Sequence, residues 1–97
     1  AWLGKAANQN LANAQNGLGY VYQNGFGVRK NILTAIFWYR KAANNGHALA
    51  QLNLAYLYLN GNGVRKDFNM AVQWFKRSAR NGNTNAQNWL RQKRMAW

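Results

Sequence analysis

Apolar and small residues return every three or four places along this chain, in stretches of about a dozen residues that close on Asn-Gly. One run passes through Ala14, Leu18, Val21 and Tyr22 and stops at Asn24-Gly25; a later one passes through Ala50, Leu54, Leu57 and Tyr58 and stops at Asn60-Gly61. Ile32, Ala35, Ile36, Tyr39 and Ala43 mark a helix ending at Asn45-Gly46, and Phe68, Ala71, Val72, Phe75 and Ala79 mark another ending at Asn81-Gly82. This spacing belongs to helices that bury one stripe. It predicts helices over 1–9, 11–24, 31–45, 48–60, 67–81 and 84–95, and no strand. Asn-Gly supplies the left-handed residue that closes a helix, and a second glycine (Gly27, Gly63) lets the chain reverse. Asn31 and Asp67 stand where a short oxygen-bearing side chain caps the next helix.

The same residues recur 36 positions apart. GFGVRKN from Gly25 aligns with GNGVRKD from Gly61, and Trp2, Trp38 and Trp74 fall in register, as do Ala7, Ala43 and Ala79, and Leu18, Leu54 and Leu90. A fixed offset along the whole chain is a tandem repeat. The expected fold is therefore all-α: an α-solenoid of antiparallel helix pairs, about two and a half repeats, forming one domain over 1–97. Its units run approximately 12–47 and 48–83, with partial units at 1–11 and 84–97.

Composition changes the picture in one respect. Thirteen Lys and Arg face a single acid, Asp67, giving a net charge of +12, while 23 residues are Asn or Gln. A nucleotide bias, engineered charge, or an anionic partner that surface carboxylates would repel each account for this. Only 20 of the 97 residues are Leu, Ile, Val or Phe, so five Trp, five Tyr and 15 Ala must build a small helical core. There is no cysteine, hence neither a disulfide framework nor a thiolate metal site. No apolar stretch spans a bilayer and no secretory signal is visible; a start at Ala1 suggests a processed or excised chain.

Leu18-Gly19, Tyr22, Gly25, Gly27-Val28, Ala35, Trp38-Tyr39, Lys41-Ala42-Ala43 and Gly46 together resemble the Sel-one-like repeat, an α-solenoid family related to tetratricopeptide repeats. The second unit repeats the pattern through Leu54, Tyr58, Gly61, Gly63-Val64, Asp67, Ala71, Trp74-Phe75, Ala79 and Gly82, although Ala55 replaces the glycine seen at Gly19. The resemblance implies a bacterial adaptor or scaffold that binds other proteins, in the cytoplasm or envelope, without catalysis or cofactor. Tetratricopeptide geometry, carried over, lines an inner surface with Asn13, Asn16, Tyr20 and Gln23, then Leu49, Leu52, Tyr56 and Leu59, then Asn85, Asn88, Gln92 and Met95. The middle set is apolar. It suits either a partner or packing against a neighbouring element.

Basic residues recur on the other side of each pair: Arg40 and Lys41 return as Lys76 and Arg77, with Arg80, Arg91 and Arg94 beyond, and they predict a positive outer ridge. Trp2, Trp38 and Trp74 recur at core spacing, whereas Phe26, Phe37 and Trp89 break the repeat and are candidates for exposed contacts. One acid, one histidine and three hydroxyls (Thr34, Ser78, Thr84) supply neither paired carboxylates nor a triad, so an enzyme is not expected. His47 precedes a helix, a position that suits a structural role better than a metal ligand. The leading expectation is a module that binds an acidic protein or peptide, an immunity-like binder being one form. Binding of nucleic acid or anionic lipid through the ridge is the alternative, and self-association through exposed repeat ends is a further expectation.

Overall fold

The computed structural model describes residues 2–97, with side chains from Gln9 onward. Five helices follow one another: α1 (Trp2–Asn24), α2 (Ile32–Asn44), α3 (Ala48–Asn60), α4 (Phe68–Arg80) and α5 (Thr84–Gln92). No strand occurs among the described residues. α1 packs most extensively on α2 and α3 on α4, while α2 against α3 and α4 against α5 stack the units.

The turns are built as their residues require. Gly25, Gly27, Gly61 and Gly63 all have φ between 67° and 74°, and Gly46 and Gly82 lie at 81° and 92°, a region closed to most L side chains. Asn31 Oδ1 accepts from the Thr34 amide at 3.1 Å, and Asp67 Oδ1 accepts from the Met70 amide at 3.0 Å. Each cap satisfies an otherwise free donor of the first turn.

The sequence reading places a helix break near residue 10, and the structure corrects it: α1 runs unbroken from Trp2 to Asn24. The repeat explains why. Asn10 stands where the later units have Gly46 and Gly82, and Leu11 stands where they have the capping residues His47 and Asn83. With neither a left-handed residue nor a cap, nothing stops the helix. The expected core roles of Trp2 and Ala7 fall outside the described side chains.

Two apolar clusters follow. Ala12, Ala35, Ile36, Tyr39, Ala42 and Ala43 meet Ala50, Leu54 and Leu57 of the next unit. Leu52, Ala55, Ala71, Phe75 and Ala79 meet Ala86 and Leu90. Helix α3 feeds both, one face to each side. The register-equivalent face of α1 behaves differently: Leu18 is 39% exposed and Ala14 is exposed, where Leu54 and Ala50 are fully buried. No described element covers that face as the first unit covers its counterpart on α3.

Helix α5 ends at Gln92 rather than near residue 95. Arg94 takes φ 58°, and the Met95 amide donates back to the Leu90 carbonyl at 2.9 Å. This is a Schellman closure, in which Met95 lies against the second cluster and Trp97 folds onto it as well.

Amides tie the helices together, across the unit boundaries and within each unit. Gln51 Nε2 donates to the Ala43 carbonyl and Gln87 Nε2 to the Ala79 carbonyl, both at 3.0 Å, one repeat apart. Asn45 Nδ2 donates to Gln15 Oε1 at 3.2 Å and Asn81 Nδ2 to Gln51 Oε1 at 2.9 Å, again in register. Gln51 thus donates to one neighbour and accepts from another while buried. A glutamate there could not donate to the carbonyl when ionised. Part of the amide excess therefore has an internal structural cause.

Candidate partner-binding surfaces

On α3, the apolar set Leu49, Leu52, Tyr56 and Leu59 divides in two. Leu52 is only 5% exposed and belongs to the second cluster, which closes it to a partner, while Leu59 is half-buried and packs against that cluster. For Leu52, of the two alternatives the sequence leaves open, packing holds; the cause is the α4–α5 layer stacked on that side of α3. Leu49 and Tyr56 remain 46% and 39% exposed. Tyr56 rests its ring edge-on against buried Phe75, at 5.2 Å and 89°, which fixes its position without covering it.

On α1, Asn13 is exposed and Asn16 is buried, and both are committed to α3: Asn13 Oδ1 meets His47 Nε2 at 2.6 Å, and Asn16 Oδ1 accepts from Asn53 Nδ2 at 3.2 Å. Gln23 is also taken, because its Oε1 accepts from the buried Tyr39 hydroxyl at 2.6 Å. Burial, helped by Tyr20, pushes the Tyr39 phenol up to about 12. In the second unit this polar pair becomes Leu59 and Phe75, an apolar pair in the same two places. Replacing both partners together avoids leaving a buried polar atom unpaired. Tyr20 is exposed beside Phe26, with ring centroids 5.7 Å apart. Asn88 and Gln92 are exposed on α5, and Asn88 accepts from Arg91 at 3.2 Å.

The basic residues sit over aromatic rings in repeat register. The Lys41 ammonium lies 5.5 Å from the Trp38 ring centroid, and the Arg77 guanidinium lies 4.8 Å from that of Trp74. Both tryptophans are half-buried beneath their cation instead of fully inside; Trp74 also packs against both apolar clusters, whereas Trp38 meets the Phe37 ring edge-on. Lys76, Arg77 and Arg80 enclose, with Gln73, a depression of about 240 Å³ on α4. Arg40 donates to the Tyr58 hydroxyl, Arg80 Nε to the Trp97 main-chain oxygen at 2.6 Å, and Arg91 lies over the Trp97 ring. Arg94 is exposed in its left-handed turn.

Trp89 does not serve as an exposed contact: it is half-buried and stacks on Phe75 at 3.9 Å and 10°. Phe26 and Phe37 are exposed as their departure from the repeat suggests. Phe68, read from the sequence as part of the buried stripe, is instead 47% exposed at the start of α4 with its ring 6.1 Å from that of Trp89, and Leu33, which the apolar period does not include, is exposed as well.

His47 caps α3, its Nδ1 accepting from the Ala50 amide at 3.2 Å. With Nδ1 as acceptor the ring is neutral, and Nε2–H donates to Asn13. Desolvation by burial lowers its pKa below 6.5, in the same sense as the cap. A depressed histidine contributes stability that is fully present above the unfolded pKa of 6.5 and is lost as pH falls through the folded value. The melting temperature is therefore expected to drop between about pH 7.5 and pH 5. His47→Asn, which copies the Asn83 cap onto Ala86, is expected to keep the fold and remove most of that drop, as thermal melts at both pH values will show.

Among the described residues no helix is long and apolar enough to cross a membrane, and no cluster of metal-ligating side chains occurs. The Sel1 repeat family model matches residues 1–11, 12–47 and 48–83. The chain belongs to the Sel1 repeat family. A Sel1 repeat protein from Oxalobacter formigenes is 42% identical with a TM-score of 0.77, the match covering 92% of this chain and 36% of that one. A protective antigen of uropathogenic Escherichia coli strains displaying an SLR fold is 40% identical with a TM-score of 0.74, covering 84% of this chain and 18% of that one. Cysteine-rich protein B of Helicobacter pylori is 34% identical with a TM-score of 0.80, covering 92% and 67%. The chain thus spans about a third of the Oxalobacter protein's length and under a fifth of the Escherichia coli antigen's. No curated protein matches it significantly. Sel1 repeats are, in general, protein-interaction modules on a helical scaffold, and these three organisms are bacterial, in keeping with a bacterial Sel1 solenoid.

Proposed function

We propose that this Sel1 domain is a non-enzymatic interaction module that holds an acidic protein partner on the α3 face carrying Leu49 and Tyr56, with Tyr20 and Gln92 at its flanks. The observation that supports this reading is that Leu49 and Tyr56 stay half exposed while every other leucine of α3 is packed or nearly so. Two apolar anchors in a polar surround suit the centre of a contact patch. A net charge of +12 with one carboxylate accelerates encounter with an acidic surface and repels basic ones. Once a partner has been captured from the source cell at physiological salt, Leu49→Asp is expected to weaken its binding by about tenfold or more in calorimetry. Unchanged affinity would remove this face from the proposal.

A second reading has its own support in the three cations around the α4 depression, which suit a phosphate-bearing ligand, nucleic acid or lipid. Titrating salt against an oligonucleotide tests it: a steep loss of affinity whose slope shrinks in Arg77→Glu favours this reading, and a flat response excludes it.

A further inference from the structure

Leu33 and Phe37 stand one turn apart on α2 and are 68% and 52% exposed. Nothing in the packing requires apolar residues there, and the repeat supplies the comparison. At the same two positions of α4 stand Asn69 and Gln73, both exposed, on a helix of the same length capped at the equivalent positions. The neighbouring bases, in contrast, are kept: Arg40 and Lys41 return as Lys76 and Arg77. The first unit therefore differs from the second by an apolar pair added to a conserved pair of cations within the chain.

These side chains line a groove of about 360 Å³ together with Ile36 and with Val64, which comes from the turn of the next unit. The groove exists only because two units are stacked. Lys41 holds its ammonium 4.8 Å from the Phe37 ring centroid, so a positive charge is fixed at the edge of the apolar surface. A space of this order accepts one or two bulky apolar side chains. Its rim offers two cations and no carboxylate.

The geometry points to this α2 groove as a second docking site, separate from the α3 face, for an acidic peptide segment that inserts a bulky apolar side chain between Leu33 and Phe37 and places carboxylates on Arg40 and Lys41. Charge complementarity selects an anionic segment. The apolar lining selects a side chain over a phosphate backbone, and the concave shape selects an inserted residue over a flat bilayer. The α4 depression, with its cations and no apolar wall, lacks the feature that discriminates among anions.

The test uses the full chain and fluorescence anisotropy at near-physiological salt. The probes are an acidic peptide of about a dozen residues carrying Leu and Phe four places apart, its twin with both replaced by Ser, a short oligothymidylate, and phosphatidylglycerol-containing vesicles. The Leu/Phe peptide is expected to bind about tenfold or more tighter than its twin. Leu33→Asn with Phe37→Gln, which writes the α4 residues into α2, is expected to erase that preference at unchanged melting temperature. Leu49→Asp is expected to leave it intact, so failure here and failure of the α3 proposal are distinguishable. Should the double variant unfold, Lys41→Glu serves instead, weakening the Leu/Phe peptide while the chain stays folded. Equal binding of the two peptides overturns the inference. So does a preference that survives the substitutions, or oligothymidylate or vesicle binding that is the only affinity they abolish.

Discussion

Replacing Gly63 by Ala is expected to cost about 2–4 kcal/mol, whereas Gly27→Ala, at the equivalent place one repeat earlier, is expected to cost only about 1 kcal/mol. Both glycines are left-handed, with φ of 74° and 73°, so the backbone penalty is shared. They differ in what lies beyond. A Cβ on Gly63 would stand 2.6 Å from Ile32 Cγ1 and 3.2 Å from its Cβ, while a Cβ on Gly27 would meet nothing within 4 Å. Ile32 is β-branched at the start of α2 and has little rotamer freedom with which to retreat. The difference between the two variants thus measures how tightly the second unit's turn closes on the first. Chemical denaturation of both gives the two values, and adding Ile32→Ala to Gly63→Ala should recover part of the loss. Equal costs would show that the turn is not pressed against α2.

Phe75→Ala is expected to be the more damaging substitution, at about 3–5 kcal/mol, a large share of the stability of a domain this size. Phe75 is fully buried, stacks on Trp89, supports Tyr56 edge-on, and sits among Leu52, Ala71, Ala79 and Leu90. Ala71 and Ala79 are too small to close the space it leaves, and Trp89 and Tyr56 lose the ring they rest on. Because stability in a solenoid is shared between adjacent units, the loss should be concentrated at the α4–α5 end. Hydrogen exchange is expected to show α5 amides losing protection first, while α2 amides around Tyr39 keep most of theirs. Uniform loss of protection along the chain would mean that the two clusters unfold as one.

Local signals in the sequence were sufficient for most of the fold. Asn-Gly turns, the Asn31 and Asp67 caps and the apolar period act over a few residues, and the structure carries them out within a residue or so at α2, α3 and α4. The repeat offset alone implies a break near residue 10, but Asn10 and Leu11 cannot perform the jobs of Gly46 and His47, so the helix continues. The surfaces were harder to read. That Leu52 is buried while Leu49 is not depends on where α5 lands, and that Trp89 is covered depends on Phe75 beneath it; both are tertiary facts. Other tertiary contacts do leave a mark in the sequence. Gln15, Gln51 and Gln87 repeat in register, as do Asn45 and Asn81, and the exchange of Tyr39 with Gln23 for Phe75 with Leu59 is a paired substitution that marks a contact.

The carboxamide joints within and between units have a consequence for how such a cationic domain responds to its medium. Bonds such as Gln51 to Ala43 and Asn81 to Gln51 join groups without net charge, so counterions have little to screen in them. The outward field, by comparison, rests almost wholly on Lys and Arg. Raising ionic strength should then quiet the molecule's attraction for anions while its spine keeps the same shape: the grip is adjustable and the frame is not.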